Sequence, residues 1–283
     1  MYKCYALADS LQAYDAHLSV LIVDADTVDK TNAPQNVSFS FLRDIDNETG
    51  LKLIKKYKNH KDKLRWSLKS IFLLHLLKQK QQVIYVDNDI FFFNDFKFLF
   101  KLLKTHTVLL TPHHYKYNPE KEQNWLEANF RVGLYNAGFV GVNQNAEKVL
   151  EWWAKACLYR CEKNYFRGLF DDQKYLDLFP IIEENTHIVR HKGCNVAGWN
   201  SEINKIDIVN GKILIANTFS LIFYHFNDYS LQMIDKESPV FKNYIAALKK
   251  YKSDLGNLYK NANLTLLDSI KLKIWNILNR LNK

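Results

Sequence analysis

The feature that most constrains this chain is an apolar run, Val83-Ile84-Tyr85-Val86, that stops abruptly at Asp87-Asn88-Asp89 and resumes as Ile90-Phe91-Phe92-Phe93. A run of this length without polar alternation suits a strand buried on both faces, as in parallel sheets covered by helices. Ligands of such sheets collect where the strands end. Two carboxylates two residues apart at a strand exit can both reach one hard divalent cation, and that cation can bridge to the phosphates of a nucleotide. Surface acids in the same spacing are common, so the delivery of this pair by a buried strand is what gives it weight.

The rest of the chain repeats the alternation. The spacing predicts a helix over about 3–15, a strand over 17–23 ending at Asp24, and a strand over 37–42. Leu64, Leu68, Ile71, Phe72, His75 and Leu76 share one face of a helix expected over 62–79, with lysines on the other face and His75 as a satisfied core residue. Strands are expected over 107–111 and 134–142, and a helix over 146–160. The fold class is therefore α/β, a mostly parallel sheet flanked by helices.

Composition narrows the partners. Nine glycines and five prolines in 283 residues exclude collagen-like and disordered classes. An aromatic share of 14% beside a net charge of +9 points to anions and flat rings: nucleic acid, nucleotides, sugars or an acidic membrane. Lysines spread over helices and no nucleic-acid motif argue against nucleic acid. GxGxxG and GxxxxGK[ST] are both absent, so neither a Rossmann dinucleotide nor a Walker cradle is indicated. The four cysteines lack zinc or disulfide spacing, and Cys157 and Cys161 read as core residues in a reducing compartment. The start has no long apolar leader, and the run at 71–77 is far shorter than the ~20 residues of a spanning helix, so a cytoplasmic protein is expected.

The segment WSLKSIFLLHLLKQKQQVIYVDNDIFFFND (66–95) resembles the helix, strand and DxD core of GT-A nucleotide-diphosphosugar glycosyltransferases. LTPHH (110–114), YNAGFVGV (135–142), GLFDDQKYLDLFP (168–180), GCNVAGWN (193–200) and LIFYHFND (221–228) follow in the order seen in bacterial members related to glycosyltransferase family eight. The resemblance spans roughly 5–230. It implies a GT-A domain over 1–235, a UDP-linked hexose donor, and a bacterial surface glycan or lipid-linked acceptor; the remainder, 236–283, is expected to be a basic amphipathic helical tail.

The resemblance also assigns residues. Asp87 and Asp89 fall to a metal, Mn2+ or Mg2+, with Asn88 between them in the donor site. His225 is implied as third ligand, with His191 the competitor and a packed core histidine the plain alternative. Asn136, Ala137 and Gly138 are implied to face the donor sugar or its phosphates. Asp172 and Gln173 match a pair beside the anomeric carbon, where they would hold hydroxyls and favour an oxocarbenium-like transition state. Alternatively, they open a helix. Lys69 would offset diphosphate charge or simply sit on a solvated lysine-rich face. Asn195, Trp199 and Asn200 resemble a sugar-facing loop, with core packing of Trp199 as the alternative.

Two regions carry further expectations. Family members begin with a strand and loop that hold the nucleotide base, ahead of a helix resembling residues 5–11, and this chain starts at that helix. The first strand is thus expected to be absent, and a non-catalytic binding protein is the alternative reading. In the tail, Leu267, Ile270, Ile274, Ile277, Leu278 and Leu281 share a stripe with basic residues elsewhere on the helix, suiting either an anionic membrane surface or packing on protein. Stereochemistry stays open: Asp171, Asp172 and Asp228 are candidate bases for inversion, whereas the resemblance slightly favours retention.

Overall fold

The computed structural model describes residues 1–256. In chain order its helices and strands are α1 (Tyr2–Gln12), β1 (Leu18–Ile22), β2 (Val37–Phe41), α2 (Glu48–Tyr57), α3 (Lys61–Ser67), α4 (Lys69–Leu77), β3 (Gln82–Val86), β4 (Ile90–Phe92), α5 (Lys97–Leu102), β5 (Val108–Pro112), α6 (Gln123–Arg131), β6 (Tyr135–Asn143) and α7 (Glu147–Tyr159). The second half is more irregular: β7 (Lys163–Asn164), β8 (Leu169–Phe170), α8 (Phe179–Ile182), β9 (Thr186–Ile188), β10 (Ile206–Val209), β11 (Lys212–Ile215), β12 (Phe219–Ser220), β13 (Phe223–His225), α9 (Asp228–Met233) and α10 (Pro239–Lys249).

The four-stranded sheet has the order β3-β6-β5-β9. Since β6 is antiparallel to both β3 and β5 while β9 is parallel to β5, three strands point one way and β6 alone is reversed. Its centre is fully apolar. Val108, Leu109, Leu110, Phe139, Val140 and Val142 are buried, as uninterrupted runs require when helices cover both faces. One face packs on α2, α4 and α7 through Leu53, Leu68, Ile71 and the wholly buried Trp153. The other packs on α1, β4 and β13 through Leu7, Phe92 and Phe223.

The helix expected over 62–79 is interrupted. At Leu68 ψ is −3°, which opens the turn between α3 and α4 and lets Lys69 begin α4 from inside the protein. The pairing of β13 with β4 sets Ile90 opposite His225, and the Phe226 amide donates to the Asp89 carbonyl at 2.7 Å. Register therefore brings a late histidine to the early acidic turn. Helix α10 joins the body, where Tyr244 stacks on Phe226 at 3.9 Å. All four cysteines are free, and Cys157 and Cys161 lie in the core. The stripe expected over 264–283 lies outside the described residues. No described helix is long and apolar enough to cross a membrane.

Candidate active site

The exit of β3 places Asp87, Asn88 and Asp89 in a turn closed by the Ile90 amide donating to the Asp87 carbonyl at 3.1 Å. Ligand atoms of Asp87, Asp89 and His225 all lie within 4.8 Å of one another. His225 Nε2 is 3.0 Å from Asp89 Oδ1 and 4.0 Å from Asp87 Oδ2. On the far side of the ring, Asn136 Nδ2 sits 3.2 Å from His225 Nδ1, so an amide donor there makes Nδ1 the acceptor and leaves the proton on Nε2, facing Asp89. Burial disfavours the imidazolium, but the Asp89 and Asp87 charges outweigh it and hold His225 above its ordinary pKa. Burial likewise opposes ionisation of Asp89, yet the His225 charge prevails and brings that carboxyl to about 2.

Lys69 is buried, not solvated. Its ammonium donates to the Ala137 carbonyl at 3.0 Å and forms ion pairs with Asp172 Oδ2 at 3.2 Å and Asp87 Oδ1 at 3.3 Å. Burial pushes Lys69 down, but the two carboxylates reverse this and keep it charged. Burial also pushes Asp172 up to about 6 against the pull of Lys69, with Asp87 adding to the rise. Tyr85 donates to Asp87 Oδ1 at 2.6 Å. Tyr85 lies two residues before Asp87, at the end of β3, so extension of the strand's alternation by one residue could have flagged that tyrosine.

The β6 entry is built around the same cluster. Asn136 Oδ1 accepts from the Gly138 amide at 2.7 Å, and Asn136 Nδ2 donates to Asn195 Oδ1 at 2.9 Å. A Cβ at Gly138 would fall 2.6 Å from His225 Cε1 and 3.1 Å from Asp87 Oδ2, so glycine is required for the backbone to approach. Gln173 bridges the strand from the other side, Oε1 accepting from Ala137 N and Nε2 donating to the Val132 carbonyl, each at 3.2 Å.

The 193–200 loop is more inward than a sugar-facing loop. Asn195, with φ of 58°, is buried and donates to the Pro112 carbonyl at 2.9 Å. Asn200 gives Nδ2 to the carbonyls of His113 and Asn195 and takes the Ala197 amide on Oδ1, which spends its amide on loop shape. Trp199 Nε1 donates to the His113 carbonyl at 3.0 Å, and its ring meets His225 edge-on at 5.3 Å. His113 thus anchors this loop without having been singled out; burial pushes its imidazole down to about 3, which keeps it neutral. His191 is elsewhere, between Phe98 and Phe219 with Nδ1 accepting from Gly193 N. His75 stacks on Phe72, and its buried Nδ1 has no hydrogen-bond partner, correcting the expectation that it is satisfied.

The donor set fits a divalent cation. Asp89 Oδ1 is buried without a hydrogen bond of good geometry, although His225 Nε2 stands 3.0 Å away. With His225 neutral, three carboxylates (Asp87, Asp89, Asp172) and one ammonium (Lys69) sum to −2, which one such ion neutralises. Two carboxylates and an imidazole are an accepted donor set for Mn2+.

The layered α/β fold is of the GT-A type and is shared with glycosyltransferase GlyE of Streptococcus pneumoniae TIGR4 at a TM-score of 0.50, with 14% identity over 89% of this chain and 60% of that chain. More particularly, residues 5–178 match the glycosyl transferase family 8 pattern, and the chain belongs to that family. It is similar to two proteins of Bacillus subtilis (strain 168), YfnF (29% identical, covering 83% of this chain and 80% of that protein) and YfnD (30% identical, covering 82% and 75%).

Proposed function

We propose that this glycosyltransferase is metal-dependent and transfers a hexose from a UDP-linked donor to a bacterial surface glycan or its lipid-linked precursor. The observation that carries the reading is the convergence of Asp87, Asp89 and His225 at the exit of β3, with Asp89 Oδ1 left without a hydrogen bond. Mn2+ or Mg2+ held there would offset the charge that builds on the leaving diphosphate. Lys69 holds Asp87 and Asp172 in register and lends the cluster one positive charge. Asn136, Ala137 and Gly138 present a close backbone edge to the donor, with Asn88 in the turn between the two carboxylates. Asp172 and Gln173 brace that edge from behind, close to where the anomeric carbon would sit. Trp199 is the ring available to a sugar; Asn195 and Asn200 act by positioning it and Asn136.

Asp171 faces Lys163 at 3.5 Å, and Asp172 shares Lys69 with Asp87, so each is paired with a cation rather than standing as a free base. That supports retention of anomeric configuration. A cytoplasmic enzyme at the inner face of the membrane, with the apolar and basic stripe of 264–283 as the contact, fits a lipid-linked acceptor. Hydrolysis of a panel of UDP-sugars with Mn2+ tests the reading: turnover with one retained product anomer by NMR is expected. No turnover of any donor would leave the chain a binding protein of glycosyltransferase fold.

A further inference from the structure

The lysines that read along the sequence as spread over helices converge in space. Residues 52–65 carry six lysines and one arginine against Asp62, and residues 155–167 carry four basic side chains against Glu162. The two stretches together hold a net +9, equal to that of the whole chain, so the remaining residues sum to zero. Both acids are already paired within their own stretch, Asp62 with Arg65 and Glu162 with Arg160, whereas Lys55, Lys58 and Lys61 are exposed and form no ion pair among the described residues. Contacts tie the stretches together. Lys56 near the end of α2 donates to the Tyr159 carbonyl at the end of α7 at 3.1 Å, and Tyr57 donates to the Cys157 carbonyl at 2.9 Å. Lys163 of β7 lies over the Trp66 ring of α3 at 5.5 Å. One basic surface results, built from α2, α3, the end of α7 and the antiparallel β7–β8 hairpin.

The same surface carries bare aromatic rings. Tyr159, Tyr165 and Phe166 are 69%, 57% and 106% exposed, and the last stands proud of the protein. The hairpin tip that displays Tyr165 and Phe166 is held in shape: the Asn164 side chain accepts from the Arg167 amide at 3.2 Å, and Gly168, at a φ of 63°, makes the left-handed turn into β8. A fixed turn that leaves a phenylalanine wholly in water gains nothing for folding, and clustered exposed rings mark an interaction surface. A convex tip is the wrong shape for a nucleic-acid strand, which tracks a basic groove. It suits a flat interface, where rings enter and flanking lysines meet anionic headgroups. The tip is also placed for the reaction. β8 runs directly into Asp171 and Asp172; Lys163 pairs with Asp171 at 3.5 Å, and Asp172 shares Lys69 with Asp87.

We propose that the β7–β8 tip and the basic surface around it form a docking face for an anionic phospholipid bilayer, with Tyr165 and Phe166 entering the headgroup region and Lys58, Lys61 and Arg167 meeting lipid phosphates. This docking rests on the lipid-linked acceptor proposed above and uses a surface apart in sequence from 264–283. In the test, the full chain is pelleted with vesicles of mixed phosphatidylglycerol and phosphatidylcholine, and with phosphatidylcholine alone, beside two double variants, Tyr165→Ser with Phe166→Ser and Lys58→Glu with Lys61→Glu. Tryptic cleavage after Arg167, mapped by mass, reads the tip itself. Wild type is expected to bind the anionic vesicles, each double variant to bind about ten-fold or more weakly, and the anionic vesicles to slow cleavage after Arg167 about ten-fold or more. Hydrolysis of a soluble donor is expected to be equal in all three proteins, so turnover reports on the enzyme and pelleting on the docking face. No pelleting of wild type overturns the proposal. Pelleting that both variants leave unchanged also overturns it, while a lipid-linked acceptor reached through 264–283 still stands. Pelleting lost in the lysine variant alone makes the surface a site for any polyanion and overturns it too, as does cleavage after Arg167 that is as fast with anionic vesicles as with phosphatidylcholine.

Discussion

Replacing Lys69 with methionine removes the one ammonium that stands between Asp172 and Asp87, and the geometry fixes how large the effect should be. The lysine side chain is 5% exposed and that of Asp172 3%, so water cannot take over the lost contact at 3.2 Å, whereas Asp87, 31% exposed, can turn to solvent when its contact at 3.3 Å goes. The Ala137 carbonyl also loses its donor. Breaking a buried pair by deleting one partner costs about 3–5 kcal/mol, which for a chain of this size lowers Tm by roughly 6–15 °C. The loss depends on pH with a definite sign. The folded pKa of Asp172 is already raised from 3.8 to about 6, so the stability tied to this group is full below pH 3.8 and falls as pH rises through about 6. Without Lys69 the folded pKa climbs further, so the gap between Lys69→Met and wild type widens from pH 5 to pH 8. Thermal unfolding at both values measures this, and Asp172→Asn in the variant background should recover most of the loss at pH 8. A variant within about 1 kcal/mol of wild type at pH 8, or a gap that narrows as pH rises, refutes the buried-pair account.

Gly138→Ala should weaken Mn2+ affinity by ten-fold or more in calorimetric titration, because its Cβ would press on His225 and on Asp87 Oδ2. Trp199→Phe keeps an edge-on ring for His225 but drops the bond to the His113 carbonyl, for an expected loss of about 1 kcal/mol in denaturant unfolding. Mn2+ affinity should rise with pH, since the ion displaces a proton from His225 whose pKa is held above its ordinary value; His225→Ala should flatten that dependence.

What was legible in the sequence follows from what is local. Strands β5 and β6 show as apolar runs because they are buried along most of their length, and α7 as a stripe because one face is buried; the run of β3 reads the same, yet β3 is half-buried throughout, which corrects the expectation of a strand buried on both faces. The acidic exit of β3 was readable because that run stops there. Strand direction was not, because period-two burial is the same in either sense, and so the reversal of β6 was invisible. Lys69 sits on a lysine-rich stretch, and only the break at Leu68 turns it inward. The choice between His225 and His191 rests on the pairing of Ile90 with His225, a contact across the chain that no spacing records. Asn200 offers a hydrogen-bonding amide to any sequence reader, yet that amide is spent within its own loop and on the carbonyl of His113.

A metal-held diphosphate site at Asp87, Asp89 and His225 is decided by calorimetric titration of UDP into the full chain with Mn2+, with chelator, and with Asp89→Ala. Binding in Mn2+ that weakens about a hundred-fold or more with chelator or with Asp89→Ala is the predicted result, as expected when a liganding carboxylate and its ion are lost together. Equal UDP affinity in all three conditions would contradict it.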